Sequence, residues 1–218
     1  MQRANPTQRW PAILVILWAA ACSTGFGALW VYSNTRGDLG QPTAPWPADQ
    51  PLTLDDDRPT LVLFAHPKCP CTDATLSQLE RLQGRYPDRF GIRVVLYEPE
   101  QADLTWRSTR LWRRAQRLSE AAVLADPAGR ITAAFGAATS GQTGLFAPSG
   151  ELLFWGGLTS ARGHEGDSLG SDAVAEAVQS GLSRSTNAPV FGCTILGSCS
   201  STAHTSEVTG HDAPCCTG

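Results

Sequence analysis

The stretch with the clearest chemistry is Phe64-Ala65-His66-Pro67-Lys68-Cys69-Pro70-Cys71-Thr72. It follows an apolar run and precedes a helical pattern. A cysteine at such a junction lies at the positive end of the helix dipole, which favours thiolate over thiol. Lys68 and His66 push the same way, so Cys69 is the expected nucleophile. Pro70 suits the first helical turn, where its missing N–H is not needed. Helix positions i and i+2 face nearly opposite ways, so a Cys69–Cys71 bridge needs non-helical backbone and is strained. A strained bridge is easily reduced. Pro70 also disfavours the α conformation at Cys69, which brings the two side chains closer. Cys71 is therefore expected as the local resolving thiol. Cys193, in Pro189-Val190-Phe191-Gly192-Cys193, is the distant alternative, which must close a long loop. The bland reading, two inert buried thiols, fits poorly with alternating proline and cysteine at a helix start.

The surrounding elements must place this motif. Thr60–Ala65 reads as a strand buried on both faces. A helix is expected over Thr72–Tyr86, from Leu76, Leu79, Leu82 and Tyr86. Ile92–Tyr97 is a second buried strand. Leu104–Leu118 is expected to be helical, with Leu104, Leu111, Ala115 and Leu118 inward. Ala122–Ala125 is a short strand before the turn Asp126-Pro127-Ala128-Gly129. Ile131–Phe135 starts another helical turn. Thr143–Phe146 and Leu152–Trp155 flank a hairpin turn, and Ala173–Leu182 is the last helix. This order predicts an α/β fold, a mixed central sheet with helices on both faces.

The compartment decides what the seven cysteines mean. Residues 10–32 carry no charge, and a bilayer core needs about 20 apolar residues as a helix. Trp10, Trp30 and Tyr32 stand at the ends, where amphipathic rings suit the interface. Arg3 and Arg9 precede the run without an acid, which predicts a cytoplasmic N-terminus and an exported remainder. An uncleaved single-pass anchor is expected; a cleaved signal peptide and a lipoprotein signal ending at Cys22 are the alternatives. All three place the cysteines outside the cytoplasm, where disulfides persist. The expected organisation is a cytoplasmic N-terminus at 1–9, an anchor at 10–32, a Pro-rich tether at 33–58, a domain at 59–193 and a Cys/His/Ser-rich tail at 194–218.

The sequence resembles membrane-anchored, thioredoxin-fold thiol–disulfide proteins of the TlpA/ResA type, and most of all the group called RedB. Three stretches over about residues 59–182 carry the resemblance: FAHPKCPCTDATLSQL, VLADPAGRITAAFGA and TSGQTGLFAPSGELLFWGG. It implies a thioredoxin-like three-layer sandwich and a thiol–disulfide oxidoreductase of the extracytoplasmic (periplasmic) space. Protein thiols or disulfides would be its partners, and no cofactor is implied. Cys69 matches the first cysteine of that family's Cys-x-x-Cys, but the second falls on Thr72. Its cis-proline position falls on Gly141, after Ser140.

Other constellations compete less well. Cys69, Cys71 and His66 are soft ligands that suit copper, so a thioredoxin-like metallochaperone is the alternative. Cys193, Cys199, His204, His211, Cys215 and Cys216 form a second soft-ligand set, without the spacing of a closed zinc site. The loop Arg162-Gly163-His164-Glu165-Gly166-Asp167 offers basic and acidic groups for a substrate, or is simply solvated. Arg107, Arg110, Arg113, Arg114 and Arg117 form a stripe expected to be a solvated helix face. A net charge of −3 gives no electrostatic case for nucleic acid. No P-loop, dinucleotide or Cys-x-x-Cys-His haem motif is present.

Overall fold

A computed structural model describes residues 9–180 and 187–196. The chain forms two units, Met1–Thr35 and Arg36–Gly218. In the first, α1 (Arg9–Asn34) is apolar on every side, with Trp10, Ile16, Phe26 and Trp30 exposed. Its most apolar 18-residue window has a mean hydropathy of 2.0, and the 25 residues from Trp10 span about 38 Å, enough to cross a bilayer. Thr24 donates its hydroxyl to the Ala20 carbonyl at 2.9 Å, so this polar group needs no water.

The second unit is built on a five-stranded sheet in the order β3-β2-β1-β4-β5. β1 is Thr60–Ala65, β2 Gly91–Glu98, β3 Ala121–Pro127, β4 Gln142–Phe146 and β5 Leu152–Gly157. β1 pairs in parallel with β2 and β2 with β3, whereas β4 runs antiparallel to both β1 and β5. The helices are α2 (Thr72–Arg85), α3 (Arg110–Ala115), α4 (Arg130–Phe135) and α5 (Leu169–Ser180). This is the expected mixed sheet between two layers, with thioredoxin-like topology.

Strand alternation divides the core in two. Leu61, Leu63 and Ala65 of β1 face α2, α3 and α5, against Leu76, Leu79, Trp112 and Val174. Val62 and Phe64 face the other way, against Phe135, Phe146 and Trp155. Asp126 fixes the short α4: its carboxylate accepts from Ile131 N–H, Thr132 N–H and the Thr132 hydroxyl at 2.6–2.9 Å.

Three expectations are corrected. Leu104 is 86% exposed: Asp103 caps only a short turn, its carboxylate accepting Thr105 N–H, and Thr109, extended at ψ 159°, interrupts the helix. A 3-10 turn (Trp106–Ser108) and extended Thr109, which caps α3 through Trp112 N–H, replace its first half. Residues 36–58 are not a free tether. Gln41 and Thr43 donate N–H groups to Gly136 and Phe135, and Trp46 packs edge-on against Phe135 and Phe146. Leu52 is buried in the same cluster. Finally, packed chain continues past 193, since Ile195 is 1% exposed within that cluster.

Candidate functional site

β1 delivers its last residue to a tight turn. Cys69 N–H donates to the His66 carbonyl at 3.0 Å. Thr72 and Asp73 then donate to Cys69 and Pro70 in bonds that span three residues, a tightened first turn. Cys71 is the N-cap of α2 and already helical, at φ −64° and ψ −28°. The proline between the two cysteines needs no donor, as its position required.

The distant cysteine lies at this turn. Cys69 Sγ and Cys193 Sγ lie 3.3 Å apart, within hydrogen-bond reach, and Cys69, Cys71 and Cys193 form one buried cluster. Cys71 influences the acidity of Cys69, and both other thiols influence its own. The chain brings Cys193 here by pairing backbone to backbone. Ser140 N–H donates to the Cys193 carbonyl at 2.8 Å and Ile195 N–H to the Ala138 carbonyl at 2.9 Å. Thr139 and Thr194 form an antiparallel bridge between them. Gly192 is required by the close approach, because a Cβ there would lie 1.9 Å from the Ser140 carbonyl oxygen. The entropy expected to disfavour Cys193 is thus met by the fold itself, before any thiol reacts.

Thr72 and Ser140, where the resembled family has its second cysteine and the residue before its proline, are both fully buried. Ser140 Oγ accepts His66 N–H at 2.8 Å and lies 2.7 Å from Thr72 Oγ1. Thr72 in turn helps to lower the Cys69 pKa. Gly141, in place of the proline, has φ +94° and donates N–H to the Phe64 carbonyl at 2.9 Å.

These contacts set the thiols apart. Hydrogen bonds from Cys193 first, then Cys71, and further from Thr72, hold the Cys69 thiol far below the usual range against the effect of burial. For Cys71 the Cys193 bond pulls downward, but Cys69 and burial outweigh it, and the thiol is pushed up. The guanidinium of Arg162, itself 8% exposed, favours the Cys71 thiolate.

The two basic neighbours act differently from expectation. Burial lowers the His66 pKa, so the ring is neutral at neutral pH, though the Cys69 charge opposes this. The ring stacks on Tyr97 at 5.5 Å and meets Trp106 edge-on, and its Nδ1 accepts Lys68 N–H. The Lys68 ammonium lies 4.6 Å from the Trp106 ring centroid. Tyr97 and Trp106 are site residues the motif reading missed; only their aromatic character marked them. A cleft of about 220 Å³ reaches Cys69 between Pro67, Lys68, Pro70, Asp73, Arg110 and Leu111.

The loop at 162–167 is docked rather than free. Glu165 accepts from Ser77 and Arg81, and the Gly166 carbonyl accepts from Gln78. The arginine stripe is largely consumed in ion pairs: Arg107 with Glu98, Arg110 with Asp73, and Arg114 with Asp73 and Glu80. Cys199, His204, His211, Cys215 and Cys216 lie outside the described residues, as do Arg3 and Leu182. Among the described residues, no three His, Cys, Asp or Glu side chains are arranged to hold a metal ion.

No protein-family model and no curated protein matches the chain. Solved structures do share its fold. A hypothetical protein from Sinorhizobium meliloti 1021 is 20% identical with a TM-score of 0.54, over 76% of this chain and 96% of its own. An uncharacterized conserved protein from Geobacillus kaustophilus is 18% identical with a TM-score of 0.55, over 78% of this chain and 96% of its own. An exposed lipoprotein thioredoxin from Streptococcus pneumoniae strain TIGR4 overlaps less, at 17% identity and a TM-score of 0.42, over 57% of this chain and 85% of its own. The likeness to the first two extends over nearly their whole length and establishes the fold.

Proposed function

We propose that the chain is a membrane-anchored thiol–disulfide oxidoreductase of the extracytoplasmic space, with Cys69 as nucleophile and Cys193 as resolving thiol. The observation that carries this is the Cys69 Sγ–Cys193 Sγ contact of 3.3 Å at the start of α2. The Cys69 thiolate attacks a protein disulfide, forms a mixed disulfide and expels one substrate thiolate. Cys193, losing its proton, attacks the Cys69 sulfur and expels the other. The substrate disulfide gains two electrons and two protons, and the protein dithiol becomes the Cys69–Cys193 disulfide. The reverse sequence oxidises a substrate dithiol. The TlpA/ResA-type resemblance, with RedB nearest, supports the reading, as do the apolar α1 and the basic residues before it. The Cys69-Pro70-Cys71 motif supplies the nucleophile, and the Cys69 sulfur meets that of Cys193. The copper alternative draws no support from His66, whose Nδ1 is taken by Lys68 N–H.

The test is trapping with the detergent-solubilised full chain and insulin as disulfide substrate. Cys193→Ser is expected to hold a long-lived mixed disulfide on Cys69, and Cys69→Ser to form none. Adducts that persist instead in Cys71→Ser and clear in Cys193→Ser would return resolution to Cys71. An alkaline phosphatase fusion at Gly37 is expected to be active; an inactive one overturns the orientation.

A further inference from the structure

Cys71 has no part in that cycle, yet it is buried in one cluster with the two cysteines that do, Cys69 and Cys193, whose sulfurs lie 3.3 Å apart. Resting on the exchange chemistry proposed above, we propose that Cys71 is an internal acceptor: after Cys69–Cys193 has formed, Cys71 attacks the Cys193 sulfur, and the disulfide comes to rest as Cys71–Cys193 with Cys69 released as thiolate.

The step balances without an outside reagent. The Cys71 thiol loses its proton to solvent. A Cys71–Cys193 bond forms, the Cys69–Cys193 bond breaks, and its electron pair leaves on Cys69. The number of disulfides is unchanged.

Geometry and acidity both give it direction. Cys69 and Cys71, two positions apart at a helix start, are poorly placed to bridge each other. Cys193 comes from its own segment and packs in one buried cluster with both, so it is the hub through which a disulfide can pass. Exchange proceeds best when the departing sulfur is the more acidic one. Cys69 is that sulfur. Even with Cys193 oxidised it keeps its place at the N-terminal end of α2, where the helix dipole favours thiolate. Cys71 is the weaker acid and the stronger nucleophile once deprotonated, which the charge of Arg162 favours.

The relay separates two encounters. Substrate disulfides meet Cys69, beside the cleft at Pro67–Pro70. A reducing thiol meets the Cys71–Cys193 disulfide instead. The oxidised protein therefore keeps a free nucleophile beside its stored disulfide.

The experiment uses the solubilised full chain with Cys22, Cys199, Cys215 and Cys216 replaced by serine. It is treated with one equivalent of 5,5′-dithiobis(2-nitrobenzoate), and release of thionitrobenzoate is followed. The product is then alkylated with iodoacetamide at about pH 6, reduced and capped with N-ethylmaleimide. Peptide fragmentation between Cys69 and Cys71 reads which cysteine was free. The expected result is release of a second thionitrobenzoate, followed by iodoacetamide on Cys69 over Cys71 in at least about tenfold excess. In Cys71→Ser the second release should persist while Cys69 becomes unlabelled. Full release with iodoacetamide on Cys71 overturns the relay and leaves the proposed oxidoreductase standing. Release that stops at one thionitrobenzoate in Cys71→Ser denies Cys193 its resolving role and overturns both.

Discussion

The Ser140 hydroxyl lies 2.7 Å from the Thr72 hydroxyl and also accepts the His66 N–H at 2.8 Å. The serine oxygen has a second lone pair and a proton for Thr72, and Thr72 in turn helps to hold the Cys69 thiol below its usual range. The result is a buried chain of hydroxyls beside the thiolate. Such chains strengthen their members in a dry site.

Ser140→Ala is therefore expected to slow alkylation of Cys69 at about pH 6 and to lower stability by ~1–3 kcal/mol, the cost of an unpaired buried N–H. Thr72→Val should slow alkylation similarly, and Thr72→Ser should restore it. The measurement is the pH profile of iodoacetamide incorporation at Cys69 in reduced protein. Profiles that coincide for Thr72→Val and Thr72→Ser would remove the hydroxyl chain from the account.

The same thiolate has a stability signature. The Cys69 pKa is depressed in the folded protein, through the Cys193 hydrogen bond first, against about 8.5 in an unfolded chain. Its contribution is present in full above about 8.5 and is lost as pH falls toward the folded value. Reduced protein should accordingly melt at a higher temperature at about pH 8 than at about pH 6, and Cys69→Ala should flatten that difference. His66 adds a second, acid-side loss. Burial lowers its folded pKa, so below about 6.5 the unfolded chain takes the proton first. That loss should survive Cys69→Ala and vanish in His66→Gln. Calorimetry across this range decides both, and a flat profile for the reduced parent would contradict them.

Residues 36–58 offer a mechanical test. Trp46 meets Phe135 and Phe146 at 4.9 and 5.0 Å, and Leu52 is buried beside them. Trp46→Ala should cost ~2–4 kcal/mol in urea unfolding, and Leu52→Ala about as much. A spacer between anchor and domain would show neither loss. Deleting 36–58 should leave a poorly folded, aggregating product, because it bares one side of the second core.

How much of this was legible depends on the range over which each signal acts. β1, α2 and the β4–β5 hairpin announce themselves through residues adjacent in sequence, so their periodicity suffices. The helix around Leu104 failed because Thr109 turns extended and its side chain caps a new helix through Trp112 N–H. Residues 36–58 are held by backbone groups of Gly136, Phe135 and Gly150, which leave no mark on the sequence pattern. Cys193 is 124 positions from Cys69. What joins them is a β-like pairing of Ser140 with Cys193 and the room Gly192 leaves, and neither has a period. The local argument for Cys71 as resolver was sound about helix geometry and had no access to that pairing.

Gly141 offers the sharpest contrast between resemblance and geometry. In the resembled family this position carries a proline, so restoring one looks conservative. The backbone here argues otherwise. Gly141 has φ +94°, while proline is held near −65°. The Gly141 N–H also donates to the Phe64 carbonyl at 2.9 Å, and proline has no such donor. Gly141→Pro should thus cost ~3 kcal/mol or more and shift the Ser140 hydroxyl away from Thr72. Gly141→Ala is the milder control. It keeps the N–H but strains a left-handed residue by ~1–2 kcal/mol, with a Cβ that would sit 3.0 Å from Thr75 Oγ1. Urea unfolding and the Cys69 alkylation profile should rank the parent above Gly141→Ala and both above Gly141→Pro. A proline variant as stable as the parent, with an unchanged profile, would mean that the loop accepts the family's geometry and that the glycine is not what sets the hydroxyl chain.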